Sequence, residues 1–476
     1  MMRNNTFLKS AFVLSLGGLV AKVIGALYRI PLTGLLGGYG TGLYQMAYPL
    51  FCVLLTFSSA GIPSAFSRVI ARERAQGEEN GQTVKAALRL FALLGVAGAA
   101  LMCLFAPVMG MLQGDANLLR CYIYLAPSVF LVALIAVLRG YFQGKSDMAP
   151  TAVSEIIEQI FKAAAGLFFA YRYRNAPEIA AAYTLLAVTI SELFALGYLV
   201  VRYRREYHVR RLRARPPKGK HILFSALPVM AAASLLPLSQ TVDSIVIVRL
   251  LSGYTARAVS LYGLFSGGAI ALVSLPATVC YGFAAATVPA VSSAMARGDE
   301  QGAVKRAFFA LTLTLALAVP CAMGLFFLAK PIVALLYSSL SAEDTALLIR
   351  LVRLSSVSAV TLAGVDTLAA CLTGMGRAKR AAVAMLIAVA VKFALQFALV
   401  SVPEIGIAGA AIASNICYLI AFFLDFMYTV KKKNRGTAYD HDCELGNQGK
   451  RLNDQGPSGT ERSRRSARAH RLASRG

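Results

Sequence analysis

Long apolar stretches alternate with short polar breaks along this chain. Runs such as 86–108, 259–281 and 304–328 reach or exceed the roughly 20 residues that a membrane-spanning helix needs. They are continuous, without the every-second-residue alternation of membrane β-strands. The pattern therefore predicts an all-α, polytopic membrane protein with about twelve transmembrane helices. The predicted spans are about 7–28, 41–66, 84–109, 119–141, 152–171, 179–201, 222–249, 258–290, 305–329, 345–372, 381–401 and 406–430.

The connections between these spans differ in charge, and the difference predicts an orientation. Arg72, Arg74 and Lys85 follow the second span, and residues 202–220 hold nine basic residues after the sixth. The odd-numbered connections are poorer in cations, and one of them carries Glu404. Short loops rich in Lys and Arg stay on the cytoplasmic side. We therefore expect a multi-pass protein of the cytoplasmic membrane, with both termini in the cytoplasm.

The composition narrows the class of protein. Hydrophobic residues make up 57% of the chain and charged residues 15%, whereas about 25% is charged in a soluble protein. The net charge of +25 comes largely from residues 202–220 and a basic tail, 431–476, predicted to be disordered. Such segments favour anionic membrane lipids as partners. No nucleic-acid partner is expected, because stacking aromatic residues do not accompany the basic runs.

Weak similarity between the two parts of the chain predicts an internal duplication. The segment that begins at Gly81 resembles the one that begins at Gly302, and Lys162 lies 230 residues before Lys392. Six spans separate the copies, so both have the same orientation. The prediction is two six-helix lobes, 1–210 and 211–430, related by a pseudo-twofold axis along the membrane normal. In such transporters the substrate binds between the lobes.

Several predicted spans contain charged residues, each of which costs roughly 2.5–3.5 kcal/mol at the bilayer centre. Lys22 and Arg29 are seven residues apart and share a helix face. Arginine or lysine in a dry cleft compensates an anionic group. For Arg29, Arg68 and Arg139 the alternative is snorkelling to the interface. The candidate substrate-binding residues are Lys22, Arg29, Arg68, Arg139, Lys162 and Lys392.

The acidic candidates for gating or ion coupling are Glu155, Glu158, Asp243 and Asp366. Glu158 precedes Lys162 by four residues, a favourable order for a helical ion pair. That pair either neutralises itself or forms a gate that opens when a substrate phosphate competes for Lys162. Asp243 and Asp366 either bind Na⁺ or H⁺ or pair with a cation. No metal site, cofactor or catalytic site is expected, and the protein is expected to be monomeric.

Three segments carry a family resemblance: 22–33 (KVIGALYRIPLT), 42–49 (GLYQMAYP) and 139–144 (RGYFQG). They resemble the stage V sporulation protein B family of oligosaccharide flippases, in the superfamily of multidrug and toxin extrusion pumps and lipid II flippases. The resemblance covers about residues 5–430. It implies alternating-access transport of an undecaprenyl-pyrophosphate-linked saccharide, expected to be a lipid II-type peptidoglycan precursor, from the inner to the outer leaflet.

Two other functions compete with this one. A cation-coupled multidrug exporter of the same fold would use Asp243 and Asp366. A membrane glycosyltransferase would need a catalytic carboxylate in a sizeable outer loop, and the predicted outer connections are short. For the flippase, the membrane potential or an ion gradient is the expected driving force, since no phosphate-binding G-x-x-x-x-G-K-[ST] loop is present.

Overall fold

The computed structural model describes residues 2–59, 62–75, 81–206 and 219–431. Within these ranges every regular element is helical, which confirms the all-α prediction. A π-helical turn, Leu264–Ala269, joins α8 to α9. The helices are α1 Met2–Ser59, α2 Ile62–Ala75, α3 Gly81–Gln113, α4 Leu118–Gly144, α5 Ala149–Arg172, α6 Pro177–Glu206, α7 Gly219–Ser252, α8 Ala258–Gly263, α9 Ile270–Ala296, α10 Glu300–Phe327, α11 Ala329–Leu336, α12 Ala342–Gly374, α13 Ala378–Val400 and α14 Ile407–Val430.

Ten helical stretches of the described chain are long and apolar enough to cross a membrane. The prediction of a multi-pass membrane protein is thereby confirmed. Leu16–Thr56 counts as one stretch although two spans were predicted there. Helix α5 is not among the ten, because it carries Glu155, Glu158 and Lys162. The count of twelve spans, and their division into two six-helix lobes, stay predictions.

Helix α1 consists of two arms, residues 2–36 and 38–59, that meet at Gly37. This residue has φ 64° and ψ −176°, which breaks the helix. Glycine adopts a positive φ without the steric cost of a side chain. Tyr28 and Tyr44 come from different arms and line one cavity, so the second arm folds back along the first. The connection predicted for 29–40 is therefore helical except at this one residue.

A close crossing joins α1 to α8. We call α1–α6 the N-terminal half and α7–α14 the C-terminal half. A Cβ at Gly263 would lie 2.1 Å from the Gly38 carbonyl oxygen, and one at Gly42 would lie 2.2 Å from that of Val259. Only glycine therefore permits this approach of the two backbones. The crossing places the halves in direct contact near Gly37.

The π turn next to this crossing is held by side chains of α1. A π turn offsets the usual helical hydrogen bonding, and two of its carbonyls accept bonds from the other half. Thr33 Oγ1 donates to Gly267 O at 3.0 Å, and Gln45 Nε2 donates to Ser266 O at 3.3 Å. Each arm of α1 thus makes a polar contact with the C-terminal half.

The main apolar core includes side chains of the crossing itself. Leu43, Met46 and Phe51 of the second arm are fully buried, and they belong to one cluster with Tyr122 of α4 and Leu351 of α12. Burying such large apolar side chains stabilises the packing of α1 against α4 and α12. Tyr28, Leu32 and Leu36 of the first arm belong to the same cluster, so the core holds both arms of α1 in place. Most of the predicted basic connection, 207–218, and the predicted tail from 432 lie outside the described residues.

Candidate functional site

A cavity of about 620 Å³ lies between the arms of α1, helices α4 and α5, and helix α9 of the other half. Its volume falls within the roughly 300–1,000 Å³ of ligand pockets. Ser274 and Thr278 of α9 line one side, and Tyr28, Tyr44 and Tyr48 line another. The charged residues of its wall are Lys22, Arg29, Arg139, Glu155, Glu158 and Lys162.

Four of the six predicted substrate-binding cations come together here. Lys22, Arg29, Arg139 and Lys162 belong to three different helices and line the same cavity. Arg68 lies exposed on α2, and Lys392 lies on α13; neither is part of the cavity wall. The substrate-binding role of all six stays a prediction.

The first arm of α1 faces the cavity through its small residues. Gly18, Ala21 and Gly25 line the cavity together with Lys22 and Arg29, as their helical spacing requires. A Cβ at Gly25 would lie 2.8 Å from Gln159 Oε1 of α5. Small side chains on this face therefore let α1 lie close to α5 while its two cations project into the open space.

Glu158 pairs with Arg139 rather than with Lys162. Arg139 Nη2 lies 3.2 Å from Glu158 Oε2, and Arg139 Nε donates to Ser154 Oγ at 2.9 Å. No ion pair joins Glu158 to Lys162 within the described chain, so the predicted pairing at i,i+4 is wrong. The Arg139 guanidinium reaches from α4 to α5 and donates to two acceptors there. The ammonium of Lys162, on the same helix as Glu158, does not provide this fixed two-point geometry.

Lys162 is buried, and its charge faces other charges of the cavity. Its electrostatic neighbours are Glu158, Arg29 and Glu192. The side chain makes no ion pair within 4.0 Å in the ranges that the structure describes. Its ammonium is therefore available to an anionic ligand.

Glu192 is a functional candidate that sequence reasoning missed. It lies on α6 with 2% of its surface exposed, and its Oε2 has no hydrogen-bond partner. Glu158, Arg139 and Lys162 are its electrostatic neighbours. The criterion applied to Glu158, a charge inside an apolar run, also selects Glu192, which lies inside the predicted span 179–201.

Lys22 stands between the two halves. Its electrostatic neighbours are Asp366 of α12 and Glu155 of α5. Of the two roles left open for Asp366, this placement favours pairing with a cation of the other half. Binding of Na⁺ or H⁺ by Asp366 is untested.

A second buried charge cluster lies in the C-terminal half. Lys392 Nζ donates to Asp243 Oδ2 at 2.6 Å and to Ser239 Oγ at 3.1 Å. Gln396 Nε2 donates to Asp243 Oδ1 at 3.0 Å. Both oxygens of Asp243 are therefore occupied, which agrees with the cation-pairing role and not with a vacant ion site.

The cavity carries more positive than negative charge. Its four cations face two carboxylates on the wall, and one of those carboxylates already shares Arg139. A phosphate group accepts charge-assisted hydrogen bonds from arginine and lysine. The arrangement is thus suited to binding an anion, and the tyrosines and Gln159 add neutral hydrogen-bonding groups.

A family model described as polysaccharide biosynthesis protein matches residues 7–295. The chain is 30% identical over 430 residues to stage V sporulation protein B of Bacillus subtilis strain 168, which covers 87% of this chain and 81% of that protein. It is 24% identical over 468 residues to the lipid II flippase MurJ of the same organism, covering 92% and 84%.

Solved structures share the fold. An inward-facing multidrug resistance transporter of the MATE family, in the MOP superfamily, aligns with TM-score 0.71 and 16% identity over 89% of this chain and 96% of that one. The lipid II flippase MurJ, in an inward closed conformation, aligns with TM-score 0.68 and 17% identity over 88% of each chain. These matches confirm the resemblance found in the sequence. The chain therefore belongs to the polysaccharide biosynthesis protein family.

Proposed function

We propose that this protein moves an undecaprenyl-pyrophosphate-linked saccharide of the lipid II type from the inner to the outer leaflet. The observation that carries the proposal is the cavity in which Lys22, Arg29, Arg139 and Lys162 meet. A pyrophosphate is the anionic part of such a lipid, and clustered cations bind it in bidentate and point-charge contacts. The relatives named above are the second support.

The cations are arranged for reversible binding. Arg139 is held by Glu158 at 3.2 Å. A pyrophosphate that enters competes for this guanidinium and takes up Lys162 without breaking an ion pair. Binding thereby changes the contacts between α4 and α5, a change suited to triggering the exchange between inward and outward states.

The membrane potential is the proposed driving force. With the interior negative by ~100 mV, one negative charge gains about 2.3 kcal/mol on moving outward across the full field. Asp243 is occupied by Lys392 and Gln396, so Asp366 is the remaining candidate for coupling to Na⁺ or H⁺. Export by potential needs no nucleotide and no catalytic step.

A cation-coupled multidrug exporter is the second candidate, favoured by exposed Asp366 and by the likeness to a multidrug transporter. An acidic cavity favours the binding of lipophilic cations. The excess of cations on the present cavity wall opposes such substrates, so the flippase remains the better supported function.

The test is flipping by the reconstituted protein. Proteoliposomes receive labelled lipid II or a teichoic-type lipid precursor, with and without an imposed potential. Lys22→Ala removes a charge-assisted contact worth roughly 1.5–3 kcal/mol, so apparent affinity should fall about 10- to 100-fold. Lys330→Ala, an exposed cation of α11 outside the cavity, is the matched control. Flipping of neither lipid, or equal rates for Lys22→Ala and the wild type, would overturn the proposal.

A further inference from the structure

A second cavity, of about 280 Å³, lies where α4 begins, α5 ends and α6 begins. Its wall consists of Arg120, Tyr124, Tyr173, Ile179, Ala182 and Tyr183. A Cβ at Gly40 would lie 3.0 Å from Pro177 O at the start of α6. The cavity is therefore at the Gly37 end of the molecule, which the charge pattern predicts to face the outside.

The tyrosines of this cavity form a fixed wall. The rings of Tyr173 and Tyr183 stack with centroids 4.7 Å apart and an interplanar angle of 18°. Tyr124 packs against Tyr183 at 5.3 Å in a tilted arrangement. The Arg172 guanidinium also lies over the Tyr173 ring, 5.5 Å from its centroid. Because the rings contact one another and a cation, they offer little free face for stacking on a sugar. Their hydroxyl groups are the parts that can bind a ligand.

One arginine lines this cavity, and two more lie on either side of its wall residue Tyr173 in the chain. Arg120 is in its wall, Arg172 lies over Tyr173, and Arg174 lies 5.2 Å from the centroid of Tyr171. None of the three makes an ion pair within the described residues. Two acids lie nearby: Asp115 accepts a hydrogen bond from Tyr39 at 2.7 Å, and Glu178 precedes the wall residue Ile179 and is also an electrostatic neighbour of Tyr39. Three such cations depart from the rule that outer connections are poor in positive charge, so they need another explanation.

Exposed apolar side chains of α4 and α5 lie next to wall residues of this cavity. Ile123 and Leu119 of α4 are 43% and 37% exposed, and Phe168 and Tyr171 of α5 are 63% and 61% exposed. In a membrane-spanning helix, exposed apolar side chains contact lipid. A lipid beside α4 and α5 could therefore place its apolar part against these side chains and its polar part beside the arginines.

We propose that this cavity binds the phosphate group of an anionic membrane lipid in the leaflet at the Gly37 end. Arg120 and the tyrosine hydroxyls would donate to the phosphate oxygens, and Arg172 and Arg174 would supply further positive charge. The proposal does not rest on the substrate of the central cavity. The lipid is either the bulk anionic phospholipid or a polyprenyl phosphate carrier.

The chain contains no tryptophan, so one introduced tryptophan reports on this cavity alone. Tyr183→Trp keeps an aromatic ring in the stack. The full-length variant is placed in nanodiscs that contain phosphatidylglycerol or phosphatidylcholine, each brominated near the glycerol. Stronger quenching by the anionic lipid at equal mole fraction is the expected result, and it corresponds to an enrichment of roughly fivefold for each arginine involved.

Phe397→Trp is the matched control. Phe397 is 55% exposed near the end of α13, where Tyr254 donates to Val400 O. Tyr254 follows the end of α7, and Arg249 at that end donates to the Leu112 carbonyl of α3. Phe397 is therefore near the same end of the molecule as the second cavity. Both lipids should quench it equally. Adding Arg120→Gln to Tyr183→Trp should remove most of the excess quenching, whereas Arg120→Lys should retain part of it.

Competition identifies the source of the phosphate. Relief of quenching by unbrominated polyprenyl phosphate at a lower mole fraction than by unbrominated phosphatidylglycerol assigns the carrier lipid; the reverse order assigns the phospholipid. Either result supports an anionic lipid phosphate. Equal quenching by both brominated lipids, no effect of Arg120→Gln, or relief by inorganic phosphate alone would overturn the proposal.

Discussion

The cations of the central cavity differ in how their charges are compensated. Arg139 shares an ion pair with Glu158, and Lys22 has Asp366 and Glu155 as electrostatic neighbours. Arg29 and Lys162 make no ion pair among the described residues. An anionic headgroup therefore meets two cations that are free of ion pairs and one, Arg139, that it must take from a carboxylate.

Glu158→Gln should strengthen anion binding. The change removes the carboxylate that competes for Arg139, and for a partly exposed pair this competition is worth up to about 1 kcal/mol. We expect roughly fivefold tighter binding of pyrophosphate to the purified protein, measured by calorimetry. Glu178→Gln, in the first turn of α6 and outside the cavity wall, should leave binding unchanged. Weaker binding by Glu158→Gln would contradict the competition between substrate and carboxylate.

Asp243→Ala should strongly destabilise the protein. It leaves the Lys392 ammonium, only 9% exposed, without its partner, and breaking a buried ion pair from one side costs about 3–5 kcal/mol. Glu343→Ala is the matched control, since Glu343 pairs with Arg257 at 2.5 Å but is 80% exposed; such surface pairs contribute at most about 1 kcal/mol. The free energy of unfolding in detergent measures both. Similar losses of unfolding free energy in the two variants would show that burial does not make the Lys392–Asp243 pair more important for stability.

At the scale of the helix, the contact between the halves depends on the absence of side chains. Gly38, Gly42 and Gly263 bring the backbones of α1 and α8 together, and the π turn that follows accepts hydrogen bonds from Thr33 and Gln45. The crossing is thus both closely packed and hydrogen-bonded. It is the element that sets where α9 contributes Ser274 and Thr278 to the cavity.

Gly263→Ala should lower stability by about 1–3 kcal/mol, the usual cost of overpacking. The added carbon would meet backbone atoms of Gly38 and Gly42 at 2.1 Å and 2.4 Å, which cannot rotate away as a side chain can. Gly324→Ala is the matched control, because no atom lies within 4 Å of its added carbon; alanine there should be neutral or stabilising by up to ~1 kcal/mol. Thermal unfolding in detergent compares them, and equal melting temperatures would argue against the close crossing.

At the scale of the whole molecule, the Gly37 end holds the two halves together. Gln113 Nε2 of α3 donates to Ser244 Oγ of α7 at 2.8 Å, and Arg249 donates to the carbonyl of Leu112 at 2.7 Å. Ser339 Oγ donates to Gly34 O at 2.5 Å. The cavity lies on the other side of the α1–α8 crossing, towards the start of α1. Release of a substrate at the Gly37 end therefore requires these contacts to separate.

A disulfide across these contacts should block transport. A Cβ at Gly34 would lie 3.2 Å from Ser339 Oγ, which puts positions 34 and 339 within reach of a disulfide, whose Cβ atoms are roughly 3.5–4.5 Å apart. Gly34→Cys with Ser339→Cys, in a background without the native cysteines, should flip lipid only after reduction. Each single variant should be insensitive to reductant. Transport by the oxidised double variant would contradict the requirement that this end opens.

Local periodicity predicted part of the site, and tertiary packing determined the rest. The seven-residue spacing of Lys22 and Arg29 predicted a shared face, and both residues line the cavity. Lys162 and Lys392 were predicted as equivalent residues, yet only Lys162 lines the cavity. Lys392 is neutralised by Asp243 of α7. The two lysines differ because different helices pack against them. Helix α1, which packs against α5, presents Lys22 and Arg29, whereas α7 presents Asp243 to Lys392 of α13. The periodicity of α5 or α13 does not reveal which charges its neighbour presents.

The sequence by itself determined that the chain is helical, crosses a membrane and carries charges inside its spans, because long apolar runs and the helical period are properties of neighbouring residues. Only the tertiary structure decided which charges meet. Arg139 pairs with Glu158 in place of Lys162, Asp243 pairs with a lysine 149 residues away, and Glu192 lies beside the cationic cluster. Ion pairing depends on distances of a few ångströms between helices, and the packing of α1 against its neighbours sets those distances.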